Sequence, residues 1–162
     1  DRPLAVLGQS LGGALAPYAI SRSRYRRRVK AVVLDSTFAS FREITREKLA
    51  SLWLTWPFQG LAGNVEDAYS PARYVADLAP IPLLLTHNLG DEVVPAHHAW
   101  QLFQAAREPK RLWMFPGGGH AVTFFRPLAR DLLASYLWKR FGQPGEPPAP
   151  PSGMPPFRID TL

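Results

Sequence analysis

The chain has 162 residues, of which 46% are hydrophobic and 20% charged, with a formal net charge of +6 and no cysteine. That length suits a single globular domain with a sizeable core, and no apolar run approaches the roughly 18 residues that a membrane-spanning helix needs. The absence of cysteine excludes a thiol nucleophile, disulfides and thiolate metal sites, and leaves the redox compartment open.

Asp1 stands where a natural start would have methionine, and a strand pattern begins almost at once. Further chain is therefore expected upstream, with any signal or anchor on it, and a cytoplasmic location is favoured for the segment itself. Four short apolar runs follow in order: Leu4 to Leu7, Ala31 to Leu34, Leu83 to Leu85 and Leu112 to Phe115. They predict about four parallel strands, each apolar on both faces because helices cover both sides of the sheet. Strands alternating with amphipathic stretches give an α/β fold. A cluster of Arg22, Arg24, Arg26, Arg27, Arg28 and Lys30 falls where a helix hands over to the second strand. With only Tyr25 interleaved, it reads as a solvated surface loop, and no nucleic-acid partner is expected.

Ser40 with Glu43 forms a capping-box pattern, and Phe41, Ile44, Leu49, Leu52, Trp53 and Trp56 recur at helical spacing until Pro57. Ser70-Pro71 opens a short helix reaching about Asp77, Pro95 opens one that carries Ala99, Leu102 and Phe103, and Pro127 opens a last helix ending near Gly142. Residues 1–142 thus make one domain, with 38–63 as a possible cap, and 143–162 form a proline-rich tail expected to be disordered or extended.

The chemistry lies in the loops after the strands. Gly8-Gln9-Ser10-Leu11-Gly12-Gly13 stands between the first strand and a helical stretch. A nucleophilic serine needs such a sharp strand-to-helix turn, whose tightness calls for Gly8 and Gly12. The Leu11 backbone N–H, at the helix start, would then be one oxyanion donor. Pro17 lies inside that helix and costs roughly 3 kcal/mol or kinks it. His120 follows Gly117-Gly118-Gly119 and is the candidate base, and Asp91, in the loop after the third strand, is the candidate acid. Glu92 and Asp35 remain alternatives for the acid. His97 and His98 are adjacent on a helix, with side chains about 100° apart, and are not expected to bind a metal. His87 reads as structural. No cofactor signature is present.

The chain order Ser10, Asp91, His120, together with Gly-Gln-Ser-Leu-Gly-Gly at 8–13, Val-Leu-Asp-Ser at 33–36, Ser-Pro-Ala-Arg-Tyr at 70–74, Gly-Asp-Glu-Val-Val-Pro at 90–95 and Gly-Gly-Gly-His at 117–120, resembles the C-terminal half of an α/β-hydrolase. The nearest likeness is to bacterial prolyl-oligopeptidase and serine-aminopeptidase relatives. The resemblance implies a serine hydrolase acting on esters or related acyl substrates, with a peptidase or an inactive half-domain and interaction module as alternatives. It also implies that the strands preceding the elbow, and the second oxyanion donor they carry, are missing here, so that an upstream half of the domain is an expected partner. The strand Leu4 to Leu7 would be an exposed sheet edge. Gln9 is expected to contact a small-molecule acyl substrate, and Trp53, Trp56 and Phe58 either wall an apolar pocket for it or pack their helix onto the sheet.

Overall fold

The computed structural model describes residues 2–142 and 157–160. Four parallel strands lie side by side in chain order: β1 (Leu4–Gln9), β2 (Val29–Asp35), β3 (Leu83–Asn88) and β4 (Lys110–Phe115). Each contains its predicted apolar run. Three of them also continue into polar residues at the carboxyl end, namely Gln9, Asp35 and Thr86 to Asn88, which apolar patterning does not mark as strand.

Alternation of side chains along the strands divides the interior into two cores. On one face Val32, Leu34, Leu83, Leu85, Leu112 and Met114 pack with Ala16 and Ile20 of α1 (Leu11–Arg22) and with Leu102 and Phe103 of α4 (His97–Ala105). On the other, Ala31, Val33, Leu84, Trp113 and Phe115 pack with Ala129, Leu132 and Tyr136 of α5 (Pro127–Phe141). Burial on both faces is why β2, β3 and β4 read as continuous apolar runs, whereas β1 is mostly exposed. Pro17 is buried within α1, which stays a single helix despite it. Gly142 adopts φ 60° and ends α5 as a left-handed cap.

The expected reach of the second helix is corrected. α2 (Phe41–Ser51) stops five residues before Trp56, and a 3₁₀ stretch, Trp56–Asn64, follows. The Thr55 hydroxyl donates to the Leu49 and Leu52 carbonyls at 2.8 and 3.2 Å, and Pro57 has no N–H with which to continue the helix. The capping box is only half made: Ser40 Oγ accepts from the Glu43 N–H, while the Glu43 carboxylate accepts from Gln101 of α4 at 2.9 Å. The short helix α3 (Pro71–Tyr74) passes into a 3₁₀ turn, Val75–Leu78, as its predicted reach required.

Within the expected tail, one stretch is extended. Phe157–Asp160 forms β5, antiparallel to β4 along its outer edge. The alternation Phe157, Arg158, Ile159, Asp160 is a strand pattern hidden by its proline-rich surroundings. The rest of the predicted tail lies outside the described residues. At the opposite edge, the outer side of β1 pairs with no strand among the described residues, and Leu4, Leu7, Leu11 and Leu15 are exposed beside it.

The arginine cluster has a structural part. Arg26 donates to the Leu78 and Ala79 carbonyls at 3.2 and 2.6 Å, while Arg24 and Arg28 lie over the Tyr25 ring.

Leu84 is fully buried on β3 in the α5-facing core. Leu84→Ala is expected to cost about 2–5 kcal/mol, read as a lower urea midpoint at unchanged slope.

Candidate active site

β1 ends at Gln9, and Ser10 turns the chain directly into α1 with φ 52° and ψ −121°. A non-glycine residue at positive φ is held there against local strain of order 1–3 kcal/mol. The turn closes because backbones nearly touch: a Cβ on Gly8 would lie 2.7 Å from the Gly13 Cα. A Cβ on Gly13 would overlap the Thr37 hydroxyl, whereas one on Gly12 meets open space. Gly8 and Gly13, rather than Gly8 and Gly12, are therefore the glycines that the close approach requires. The Leu11 N–H sits among the first amides of α1, which have no acceptor inside the helix.

His120 reaches this turn from the loop after β4, where Gly117 and Gly118 take φ 63° and 77°. Its Nε2 lies 2.8 Å from Ser10 Oγ, and its Nδ1 lies 2.9 and 3.2 Å from the two Asp91 carboxylate oxygens. A carboxylate only accepts, so Nδ1 carries the proton and Nε2 is free to accept from the serine hydroxyl. Asp91 Oδ1 also accepts from the Val93 and Val94 N–H groups at 2.9 and 2.8 Å. Burial alone would raise the Asp91 carboxyl. The Val94 N–H, the His120 side chain and the Val93 N–H outweigh it and hold the group below the ordinary carboxylate range. The three residues proposed from sequence thus form one hydrogen-bonded chain at the carboxyl ends of the parallel strands β1, β3 and β4.

Neither alternative acid hydrogen-bonds to His120. Asp35 is buried and accepts from Thr86 Oγ1 at 2.7 Å and from Gln9 Nε2 at 2.8 Å. Glu92 is exposed, and its backbone carbonyl accepts from Lys48 Nζ at 2.8 Å. His87 is buried and donates from Nε2 to the Val94 carbonyl at 2.8 Å, which braces the acid loop. Burial pushes its pKa down, against the opposing hydrogen bond to Val94 and the charge of Asp91, which keeps it neutral.

Gln9, expected to face substrate, instead turns its amide inward to Asp35 and to the Ala121 carbonyl, the latter also at 2.8 Å. Trp53, Trp56 and Phe58 are 87%, 61% and 53% exposed, so packing against the sheet does not account for them. A cavity of about 450 Å³ lies between α2 and the 3₁₀ stretch, lined by Arg42, Glu43, Arg46, Glu47 and Gln59 among others. None of the three aromatic residues lines it.

One cluster was not legible from the sequence. Glu47 of α2 lies 2.9 Å from His97 Nε2 and 3.1 Å from His98 Nε2, and the two imidazoles sit 4.4 Å apart. Such a group can hold a metal in principle. Here His98 Nδ1 accepts the Ala39 N–H at 3.2 Å, so its Nε2 bears the proton and donates to Glu47. That leaves no lone pair at Nε2 for an ion. The group joins α2 to α4, and the carboxylate that completes it is some 50 residues away in sequence.

Similarity to known proteins agrees with this geometry. The model of the prolyl oligopeptidase family matches residues 1–141. The uncharacterized protein YfhR of Escherichia coli K12 is 40% identical over 121 residues, covering 75% of this chain and 39% of that protein. An uncharacterized membrane protein of Saccharomyces cerevisiae is 28% identical over 144 residues, covering 84% of this chain and 46% of its own length. The chain spans less than half the length of these relatives. Among solved structures, an acylaminoacyl peptidase of Pyrococcus horikoshii superposes with TM-score 0.63 at 19% identity, covering 90% of this chain and 25% of that one. The esterase domain of a Rhodothermus marinus protein gives TM-score 0.56 at 23% identity, covering 75% of this chain and 52% of that one. At these identities the two structures establish a shared fold, that of a partial α/β-hydrolase.

The Asp91 carboxyl is held below its ordinary value of 3.8. Its ionised form therefore stabilises the folded chain above the unfolded pKa, and that contribution is lost as pH falls through the folded pKa. The difference in urea midpoint between wild type and Asp91→Asn should stay constant from about pH 7 to pH 5 and shrink below about pH 4. A difference that persists unchanged to about pH 2.5 would contradict the assignment.

Proposed function

Since the chain belongs to the prolyl oligopeptidase family, within the α/β-hydrolase fold, we propose that it carries the reaction centre of a serine hydrolase that cleaves carboxylic esters or related acyl substrates. The observation that carries this reading is the continuous hydrogen-bonded chain from Ser10 through His120 to Asp91. In the proposed reaction Ser10 Oγ attacks the substrate carbonyl while its proton passes to His120 Nε2, and Asp91 stabilises the imidazolium that results. The Leu11 N–H donates to the oxyanion of the tetrahedral intermediate. His120 then protonates the leaving alkoxide, and water, deprotonated by the same imidazole, releases the acid from Ser10.

The exposed Trp53, Trp56 and Phe58 are proposed to meet the apolar part of the substrate, since no packing role accounts for their exposure. The free edge of β1, with Leu4, Leu7, Leu11 and Leu15 uncovered beside it, is proposed to pair with further strands of the same domain. The greater length of the relatives is consistent with such strands, which would also bring the second oxyanion donor. Among the described residues no helix is long and apolar enough to cross a membrane. Ester cleavage is favoured over peptide cleavage because the sequence carries no clear motif for capturing a peptide amine or carboxylate.

A fluorophosphonate probe tests the centre directly. Wild-type protein should label at Ser10, Ser10→Ala should not label, and Asp91→Asn should lose about 10⁴-fold in kcat. Absence of labelling in the wild-type full-length gene product would sink the hydrolase reading. Faster turnover of aminoacyl p-nitroanilides than of p-nitrophenyl esters would replace esterase with peptidase.

A further inference from the structure

Resting on the hydrolase reading, we propose that Asp35 and Gln9 are positioning residues for His120: the buried Asp35 carboxylate fixes the Gln9 amide, and that amide holds the loop carrying the base. Gln9 is then no substrate contact, and Asp35 is no spare acid.

The Gln9 amide spends both of its N–H donors. One goes to Asp35 Oδ2 and the other to the Ala121 carbonyl, each at 2.8 Å. Turning the amide over would set its oxygen against a carboxylate and a carbonyl, three acceptors together, so its orientation is determined by its surroundings. Asp35 in turn has its other oxygen on Thr86 Oγ1 at 2.7 Å. A hydrogen bond to an ionised acceptor is roughly twice as strong as one between neutral groups, which suits a carboxylate to anchoring the amide.

Ala121 directly follows the base, and both of its backbone groups are taken. Its carbonyl accepts from Gln9, and its N–H donates to Ser36 Oγ at 3.2 Å. On the other side of His120, Asn88 Nδ2 donates to the Gly119 carbonyl at 3.0 Å and to Thr123 Oγ1 at 3.0 Å. The peptide units flanking the imidazole are thus strapped to the carboxyl ends of β1, β2 and β3.

Backbone strain marks the same place. Among the described residues three non-glycine residues have positive φ: Ser10 at 52°, Ser36 at 51° and Ala121 at 57°. Hydrogen bonds connect all three to this network. Left-handed backbone at an alanine is strained and persists only where neighbours impose it. Asp35 also joins the two halves of the reaction centre, because its backbone carbonyl accepts the Ser10 N–H at 2.9 Å while its side chain acts on the His120 loop through Gln9.

The test uses the full-length gene product with Gln9→Met, which keeps the side-chain length and removes both donors at an exposed position. It is expected to keep the wild-type Tm and a KM within about twofold, while kcat and the fluorophosphonate labelling rate fall about 10- to 100-fold. Asp35→Asn should lower kcat in the same direction. Unchanged kinetics in Gln9→Met overturn the proposal, and so does a raised KM at unchanged kcat, which would make Gln9 a substrate contact. A second readout does not require turnover: the downfield proton resonance of His120 Nδ1–H against Asp91 should broaden in Gln9→Met and stay sharp in the surface control Gln104→Ala. Persistence of that resonance in Gln9→Met overturns the strap even if the wild type shows no labelling, an outcome that by itself counts only against the hydrolase reading.

Discussion

A chain that leaves a strand and enters a helix within one residue has few ways to do so, and the turn at Ser10 is the one on which this site depends. Gly8 and Gly13 must touch for the turn to close, and Gly13 must also lie against Thr37, the second residue beyond β2. The Ser10 N–H is tied to the Asp35 carbonyl. β1, α1 and the end of β2 are therefore locked together before the base or the acid is considered. Pro17 belongs to the same balance: α1 continues as one helix despite a missing interior hydrogen bond, with Ala16, Pro17 and Ile20 buried on its inner face.

Two buried carboxylates stand at neighbouring strand ends, and the groups around them decide what each can do. Asp91 receives two backbone N–H groups from its own loop, which orient it rigidly, and the imidazole of His120. Asp35 receives a hydroxyl and an amide and has no contact with the base. Only the first can stabilise an imidazolium, while the second is suited to holding neutral groups still. His87 and Asn88, consecutive residues on opposite faces of β3, divide the remaining work. His87 reaches the acid loop through the Val94 carbonyl, and Asn88 reaches the base loop through the Gly119 carbonyl.

β2, β3 and β4 were legible because two-sided burial leaves a continuous apolar signature, and β1 because its run is apolar although exposed; Ser10, Asp91 and His120 were legible because each follows such a run in a glycine-marked loop. The polar strand ends were legible only in part: Asp35 and His87 read as closing their strands, while Gln9 and Asn88 look like loop residues in sequence, since their strand character is imposed by hydrogen bonds from neighbouring strands rather than by local preference. Their partners are just as hidden: Gln9 and Ala121 are separated by 112 positions. Helical spacing overran the end of α2 for a related reason. Trp53 and Trp56 fit the period, but a threonine hydroxyl and a proline ended the helix first. At the elbow, the glycine spacing of the motif pointed to Gly12, whereas the backbone contact falls on Gly13.

α2 connects the exposed aromatic segment to the chemistry. Phe41 and Ile44 rest on a small core of Ala14, Phe38 and Val94, which brings together α1, the chain beyond β2 and the acid loop. Lys48 holds the Glu92 carbonyl of that acid loop, while Glu43 and Glu47 bind Gln101, His97 and His98 on α4. Burial depresses the pKa of His98, its largest influence, against the pull of Glu47, so the bond that His98 makes is between a neutral imidazole and a carboxylate. Trp53, Trp56 and Phe58 are thus carried at the end of a helix braced on both sides rather than on a free loop. A displacement of that helix would have to move Lys48 and Val94 with it, and Val94 supplies one of the two N–H groups that hold Asp91 Oδ1. The aromatic segment and the acid are in this way mechanically joined through the Val94 backbone, by contacts that the spacing of the catalytic motifs does not reveal.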